Sequence, residues 1–308
     1  MMLSRTADHL FWMGRYMERA ENLARLLEVS HAISLMPRSH NGGAEISAPL
    51  ALTGRLDDFQ SRHSTTEPAQ VLHYMAYDLT NPASILSALR SARENAHAVR
   101  GKISSDMWMS LNASWLEGRK LAEQGEDFQL FFDWVKERAH LFRGATYSTM
   151  RRSDAFYFIR LGTFLERADN TARLLDVKSH LLPDQQSADS TDYYTWSTLL
   201  RGLGAFEAYH ETYRDTLNGT RVFDLLLLRE DMPRSLRACF DEIRQALAQI
   251  QGDNGRPARR LATELNAALE FTAMDEVFDE GMHPFLRRML GEINRLGESI
   301  QRAYLEAA

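Results

Sequence analysis

The sequence predicts an all-α protein, an internally duplicated helical bundle whose two tandem repeats pack about a pseudo-twofold axis into one compact unit. Three observations carry this expectation. The stretch GRYMERAENLARLLEV, residues 14–29, returns as GTFLERADNTARLLDV, residues 162–177. Of the sixteen positions ten are identical and four exchange like for like, as in Tyr16 for Phe164 and Glu21 for Asp169; self-similarity of this length marks an internal repeat. Apolar residues recur at helical spacing through most of the chain. No alternating run of β-branched residues is long enough for a strand.

The elements follow in order. Residues 4–35 read as one long helix with Leu10, Met13, Met17, Ala20, Leu23, Ala24 and Leu27 on a broad apolar face. Pro37 and RSHNGG end it, and a loop runs to Ser47. Helices are expected over 49–63 and 67–79. Asn81-Pro82 reads as an N-cap followed by proline at the first helical position, where a missing N–H costs nothing. A helix follows from there to Gly101, then one through MWMSLNASWLEGRKL, and one through FQLFFDWVKERAHLF closed by Gly144.

The second half repeats this order. A long helix over 147–182 stops at Pro183, and PDQQSADSTD is a loop. A helix through YYTWSTLLRGLGAFEAYHETYRDTL and a short one through RVFDLLLL come next. EDMPRSLRACFDEI then lines up with LTNPASILSALRSA, Pro233 answering Pro82 and Ser235 answering Ser84. Leu265-Asn266-Ala267 answers Leu111-Asn112-Ala113, and the helix from Pro284 to Tyr304 answers the one before Gly144. The expected halves are 1–145 and 146–308, with no flexible linker between them.

Composition narrows the class. An apolar fraction of 44% and a charged fraction of 25% supply a full globular core. The formal net charge of −6, without long runs of one sign, disfavours nucleic acid, which demands clustered cations. A single cysteine, Cys239, excludes an intrachain disulfide and reads as a small core residue. MMLSRTADHLFW lacks the pattern of a secretory leader. No apolar run approaches a membrane span. A cytoplasmic protein without membrane or cofactor is the expectation.

The repeated helix carries the candidate site. Glu18, Asn22 and Arg25 fall at i, i+4 and i+7 on one face, with Arg19 further round. Glu166, Arg167, Asn170 and Arg173 repeat them. Polar groups embedded among Phe11, Leu26 and Val29 are partly buried and need partners. Two arrangements satisfy them. Glu18 pairs with Arg167 and Glu166 with Arg19 across the halves, fixing their register. Alternatively, the same residues line a pocket in which Arg binds a carboxylate or phosphate bidentately.

The opening LSRTADHLFWMGRYMERAENLARLLE, the segment HLFRGATYSTMRRSDAFYFIRLGTFLERADNTARLLD and the stretch AFEAYHETY resemble the alpha-E family, a bacterial all-helical family named for its Glu-Arg motif. The resemblance covers essentially the whole chain. Family members occur beside, or fused to, circularly permuted ATP-grasp ligases and transglutaminase-like proteins. The resemblance implies those two proteins as partners and a role in peptide or amide-bond synthesis or modification. It places the motif on Glu18 and Arg19, and on Glu166 and Arg167.

Other chemistry has weaker footing. Glu94-x-x-His97 and Glu207-x-x-His210, with Glu18 and Glu166, match the donor count of a di-metal carboxylate bundle. Their repeat-equivalents, Gln245 and Phe59, break the symmetry such a site would inherit. No nucleophile elbow or phosphate loop is present, and His31, His140 and His180 read as ordinary residues. Trp12, Trp108, Trp115, Trp134 and Trp196 read as packing residues. Gly255 to Arg260 reads as a solvated basic patch. Three functions are therefore expected: first an accessory partner of the ligase and transglutaminase-like system, next an enzyme of that pathway binding a peptide or amino-acid-like substrate between the repeats, and last a di-metal bundle protein.

Overall fold

The computed structural model describes residues 2–35, 42–125, 127–179 and 190–306. Among these there are fifteen α-helices and no strand. None is long and apolar enough to cross a membrane.

Two long helices form the centre. α1 (Ser4–Ser34) and α8 (Asp154–Lys178) each bury residues around most of their circumference, as expected of a helix enclosed by others. They make the most extensive helix–helix contact of the molecule with each other. The repeated glycines explain the closeness. Gly14 lies against the backbone of Ile159, and Gly162 lies against the backbone of Phe11. These contacts are reciprocal, since 148 residues separate Gly14 from Gly162 and also Phe11 from Ile159.

Against α1 pack α5 (Ile85–Ala98) and α7 (Phe128–Thr149), with α6 (Ser105–Gln124) outside them. Against α8 pack α12 (Leu236–Gln249) and α15 (Met282–Ile300), with α13 (Arg256–Phe271) outside them. The smaller helices are α2 (Gly42–Leu52), α3 (Leu56–Arg62), α4 (Pro68–Ala76), α9 (Ser190–Leu203), α10 (Phe206–Tyr213), α11 (Gly219–Leu227) and α14 (Met274–Glu280). One contiguous apolar cluster runs through both halves, from Ala7 to Leu305.

Several boundaries differ from the sequence expectation. The loop expected up to Ser47 is already helical from Gly42, and α2 carries Pro49 inside it. The helix expected over 49–63 breaks at Gly54, and the one through LLRGLGAFEAYH breaks at Gly204. Both glycines adopt left-handed φ, +65° and +64°, which favours residues without a Cβ. These turns also align Glu207 with Asp57 rather than with Phe59. Asn81 does not cap α5: its Oδ1 accepts from the Ala83 amide, and Ser84 is the cap, accepting from the Ser87 amide. Ser235 caps α12 in the same way. α7 continues past Gly144 to Thr149, and α8 begins at Asp154 rather than 147. The short α14 was not expected. The stops at Pro37 and Pro183 and the loop between Pro183 and Ala188 lie outside the described residues.

Of the tryptophans, Trp196 is fully buried, while Trp12, Trp108, Trp115 and Trp134 are half-buried. Arg93 and Arg100 lie over the Trp108 ring. In the segment read as a solvated basic patch, Arg256 and Arg260 are exposed. Arg259 donates to the Gly252 carbonyl, Arg260 pairs with Glu264, and Gly255 is covered by the Tyr304 ring.

Candidate functional site

The site grows from the polar stripe of α1 and α8. Just beyond the glycine crossing, Arg167 donates from Nε and Nη2 to the two oxygens of Glu18, at 2.8 and 2.9 Å. Arg19 donates to the two oxygens of Glu166, at 2.5 and 3.0 Å. Both are bidentate charge-assisted pairs with both carboxylates buried, and such pairs add geometric specificity. Arg15 gives Glu166 a further donor at 2.7 Å.

The two ends of this frame differ. At one end Glu18 and Glu21 are surrounded by guanidinium groups. Arg234 donates to Glu21 at 2.7 Å and lies 3.4 Å from Glu18. Arg143 reaches both carboxylates, and Arg25 donates to Glu21 from one turn along α1 and to the Gly202 carbonyl at 2.6 Å. Burial works to raise Glu21, but Arg234 and Arg143 prevail and hold its carboxyl far below the usual range. Burial lowers Arg234 to about 10, against the pull of Glu21 and Glu18. Burial likewise lowers His140, with Arg143 adding repulsion. Beside this cluster is a cavity of ≈ 600 Å³ lined by Arg25, His140, Arg143, Arg160 and Arg234.

At the other end Glu166 is also held below its ordinary value, burial being outweighed by Arg15 and Arg19. Asp169 pairs with Arg173 at 2.8 Å. A second cavity, ≈ 640 Å³, opens here between α1, α8, the α2–α3 turn and the start of α5. Arg19, Asn22, Asn170 and Arg173 lie in its wall, together with Arg55 and Arg90. Asn22 stands between the two ends. Its Oδ1 accepts from Arg234 at 2.8 Å, and its Nδ2 has no partner among the described residues although the residue is 3% exposed. The amide orientation is fixed because a guanidinium can only donate.

The structure thus gathers all eight motif residues into one region and commits both motif carboxylates to guanidinium groups. Sequence reasoning missed Arg15, Arg143 and Arg234, which complete the network, and Arg55 and Arg90. Repeat alignment carried a signal for Arg234, since it answers Ala83.

The di-metal arrangement is not formed. Glu94, His97 and Glu207 are exposed on α5 and α10, away from the paired Glu18 and Glu166. Among the described residues no three His, Cys, Asp or Glu side chains are grouped to hold a metal ion. Cys239 is buried, and burial pushes its thiol up to about 12, which disfavours the thiolate.

Fold and site define a helical protein organised around two crossed Glu-Arg pairs. The chain belongs to the Alpha-E family, described as a predicted alpha-helical domain with a conserved ER motif, whose match spans residues 2–305. An uncharacterized protein of Mycobacterium bovis is 25% identical over an alignment of 324 residues, covering 94% of this chain and 35% of the relative. Uncharacterized proteins of two Mycobacterium tuberculosis strains match to the same extent. The chain therefore spans about a third of the length of these curated relatives. No solved structure matches it.

Proposed function

We propose that this protein is a non-catalytic helical partner of a circularly permuted ATP-grasp ligase and a transglutaminase-like protein, acting in peptide or amide-bond synthesis or modification. The observation that carries this reading is the commitment of Glu18 and Glu166 to bidentate guanidinium partners. Each fork takes two of a carboxylate's lone-pair sites, and Arg143 and Arg234 beside Glu18 and Arg15 beside Glu166 take most of the rest, which leaves little room for a substrate proton. The resemblance to alpha-E proteins supplies the two partners. Affinity capture of the tagged protein from its native host should recover the ligase or the transglutaminase-like protein; recovery of neither overturns the reading.

We also infer that residues 1–145 and 146–308 are copies of one unit packed about a pseudo-twofold. The reciprocal glycine contacts and the exchanged Glu-Arg pairs support this. An experimental structure in which the halves fail to superpose helix for helix would refute it.

A second reading, in which a peptide or amino-acid-like ligand binds between the halves, is favoured by the two cavities beside the crossed pairs. Equilibrium dialysis against labelled amino acids and short peptides tests it, and saturable binding is the expected result.

A further inference from the structure

The two cavities share their framework but not their charge. In the second half, Arg234 fills the space against Glu18, Glu21 and Asn22. The corresponding triad, on α8, is Glu166, Asp169 and Asn170, and all three line the ≈ 640 Å³ cavity. The residue that answers Arg234 is Ala83, which lines the same cavity and carries no charge. Arg143, the other donor to Glu21, is answered by Gly297. Asp169 is left with Arg173, where Glu21 has Arg25, Arg143 and Arg234. Asn170 has no hydrogen-bond partner among the described residues. The space over Ala83 is therefore the one that a guanidinium occupies beside α1, and among the described residues Asp169 meets one guanidinium there where Glu21 meets three.

The opposite charge is also provided for. Arg55 and Arg90 line this cavity, and among the described residues neither has a carboxylate within ion-pair distance. The Arg55 Nε is buried without a hydrogen-bond partner among the described residues. The same is true of Ser87 Oγ and Asn22 Nδ2, on residues only 2% and 3% exposed. Buried donors without partners are costly unless something else accepts from them. Asn22, Ser87 and Arg55, with the Arg90 guanidinium beside them, form a receptor for an anion next to Asp169 and Asn170.

We propose that the cavity over Ala83 binds a small zwitterionic ligand, a free amino acid, its ammonium group against Asp169 and Asn170 and its carboxylate against Arg55 and Arg90. This deepens the ligand-binding reading above and rests on it. The motif residues Arg19 and Arg173 frame the site, but the carboxylate is taken by guanidinium groups outside the motif. An arginine at position 83, as at the equivalent Arg234, would set a guanidinium where the ligand's ammonium group belongs.

The test uses the full chain and matched probes, read by calorimetry and by thermal shift. L-glutamate carries both charges, glutarate lacks the ammonium group, and inorganic phosphate is an anion alone. L-glutamate should bind, and glutarate at least about tenfold more weakly, the loss of one charge-assisted contact. Arg90→Met and Ala83→Arg should each weaken L-glutamate by at least about tenfold, and Ser87→Ala by less. Circular dichroism verifies that each variant is folded. Phosphate or glutarate binding as tightly as L-glutamate overturns the zwitterion assignment. Binding that survives Arg90→Met and Ala83→Arg but is lost in Arg143→Met places the ligand in the other cavity, overturning this site while leaving the ligand-binding reading intact. No binding of any probe to the folded native protein overturns this site, while the broader ligand-binding reading stands or falls on the dialysis against amino acids and short peptides.

Discussion

Replacing Gly162 with alanine isolates the contact on which α1 and α8 cross. In an ordinary helix this change is favourable, because alanine loses less backbone freedom on folding, by about 0.5–1 kcal/mol. Here the added methyl carbon would sit 2.9 Å from the Phe11 carbonyl carbon, nearer still to its oxygen, and 3.1 Å from the Arg15 nitrogen. All of these are backbone atoms, so no side chain can swing aside. Reaching ordinary van der Waals separation requires the helices to part by roughly 1 Å. That movement also stretches the Arg167–Glu18 pair from 2.8 Å. Overpacking against side chains costs about 1–3 kcal/mol, and a rigid backbone belongs at the upper end. Net of the helix gain, Gly162→Ala should destabilise by about 2 kcal/mol. Urea titration measures it, with Gly144→Ala as the control. Gly144 lies within α7, and a methyl there would meet nothing within 4 Å, so that variant should be stabilised. A Gly162→Ala protein as stable as the Gly144→Ala protein would refute the argument.

Three further outcomes follow from the same network. Arg167→Met strips Glu18, 1% exposed, of its bidentate partner and should cost about 3–5 kcal/mol in urea titration, with part recovered by adding Glu18→Gln; a loss below about 1 kcal/mol would show the pair to be dispensable. Glu21 and Glu166 have carboxyls held below their ordinary 4.5, so the unfolded chain takes up protons first as the pH falls. Their stabilisation is complete above that value and is lost below it, and the urea midpoint should drop there, less so in a Glu21→Gln/Glu166→Gln protein. Ser84→Ala and Ser235→Ala each remove an N-cap acceptor and should lower stability by about 1 kcal/mol apiece, measured in the same titration.

What the sequence conveys about this molecule tracks the range of the interactions involved. Helical periodicity is local, so the all-helical class and the order of the main helices could be read from spacing alone. Breaks were harder: Gly54 and Gly204 look like tolerated glycines inside helical patterns, and only their left-handed backbone shows otherwise. Asn81 and Ser84 are both good caps three residues apart. The structure uses one for a turn and the other for α5, a choice set by where the helix must enter the core. At the site, a helical wheel places Glu18, Asn22 and Arg25 together because they share one helix. It cannot show Arg143 or Arg234, which arrive from 122 and 213 residues away to meet Glu21. Arg55 and Arg90 gave no signal at all. They sit in unremarkable patterns and gain meaning only from the cavity they face.

The glycine crossing and the guanidinium–carboxylate pairs constrain different degrees of freedom. Contact between a bare Cα and a carbonyl oxygen is short-ranged and weakly directional, so it sets how far apart α1 and α8 stand but resists rotation about the contact point only feebly. Resistance to rotation comes from the forked hydrogen bonds of Arg19 and Arg167, which lie off the contact point and are directional. The crossing therefore behaves as a pivot and the paired charges as its angular stops. The cavity over Ala83 has walls from both α1 and α8, so its width is tied to that angle. Any ligand, partner or protonation event that loosens one pair acts on the cavity as a lever rather than as a wedge.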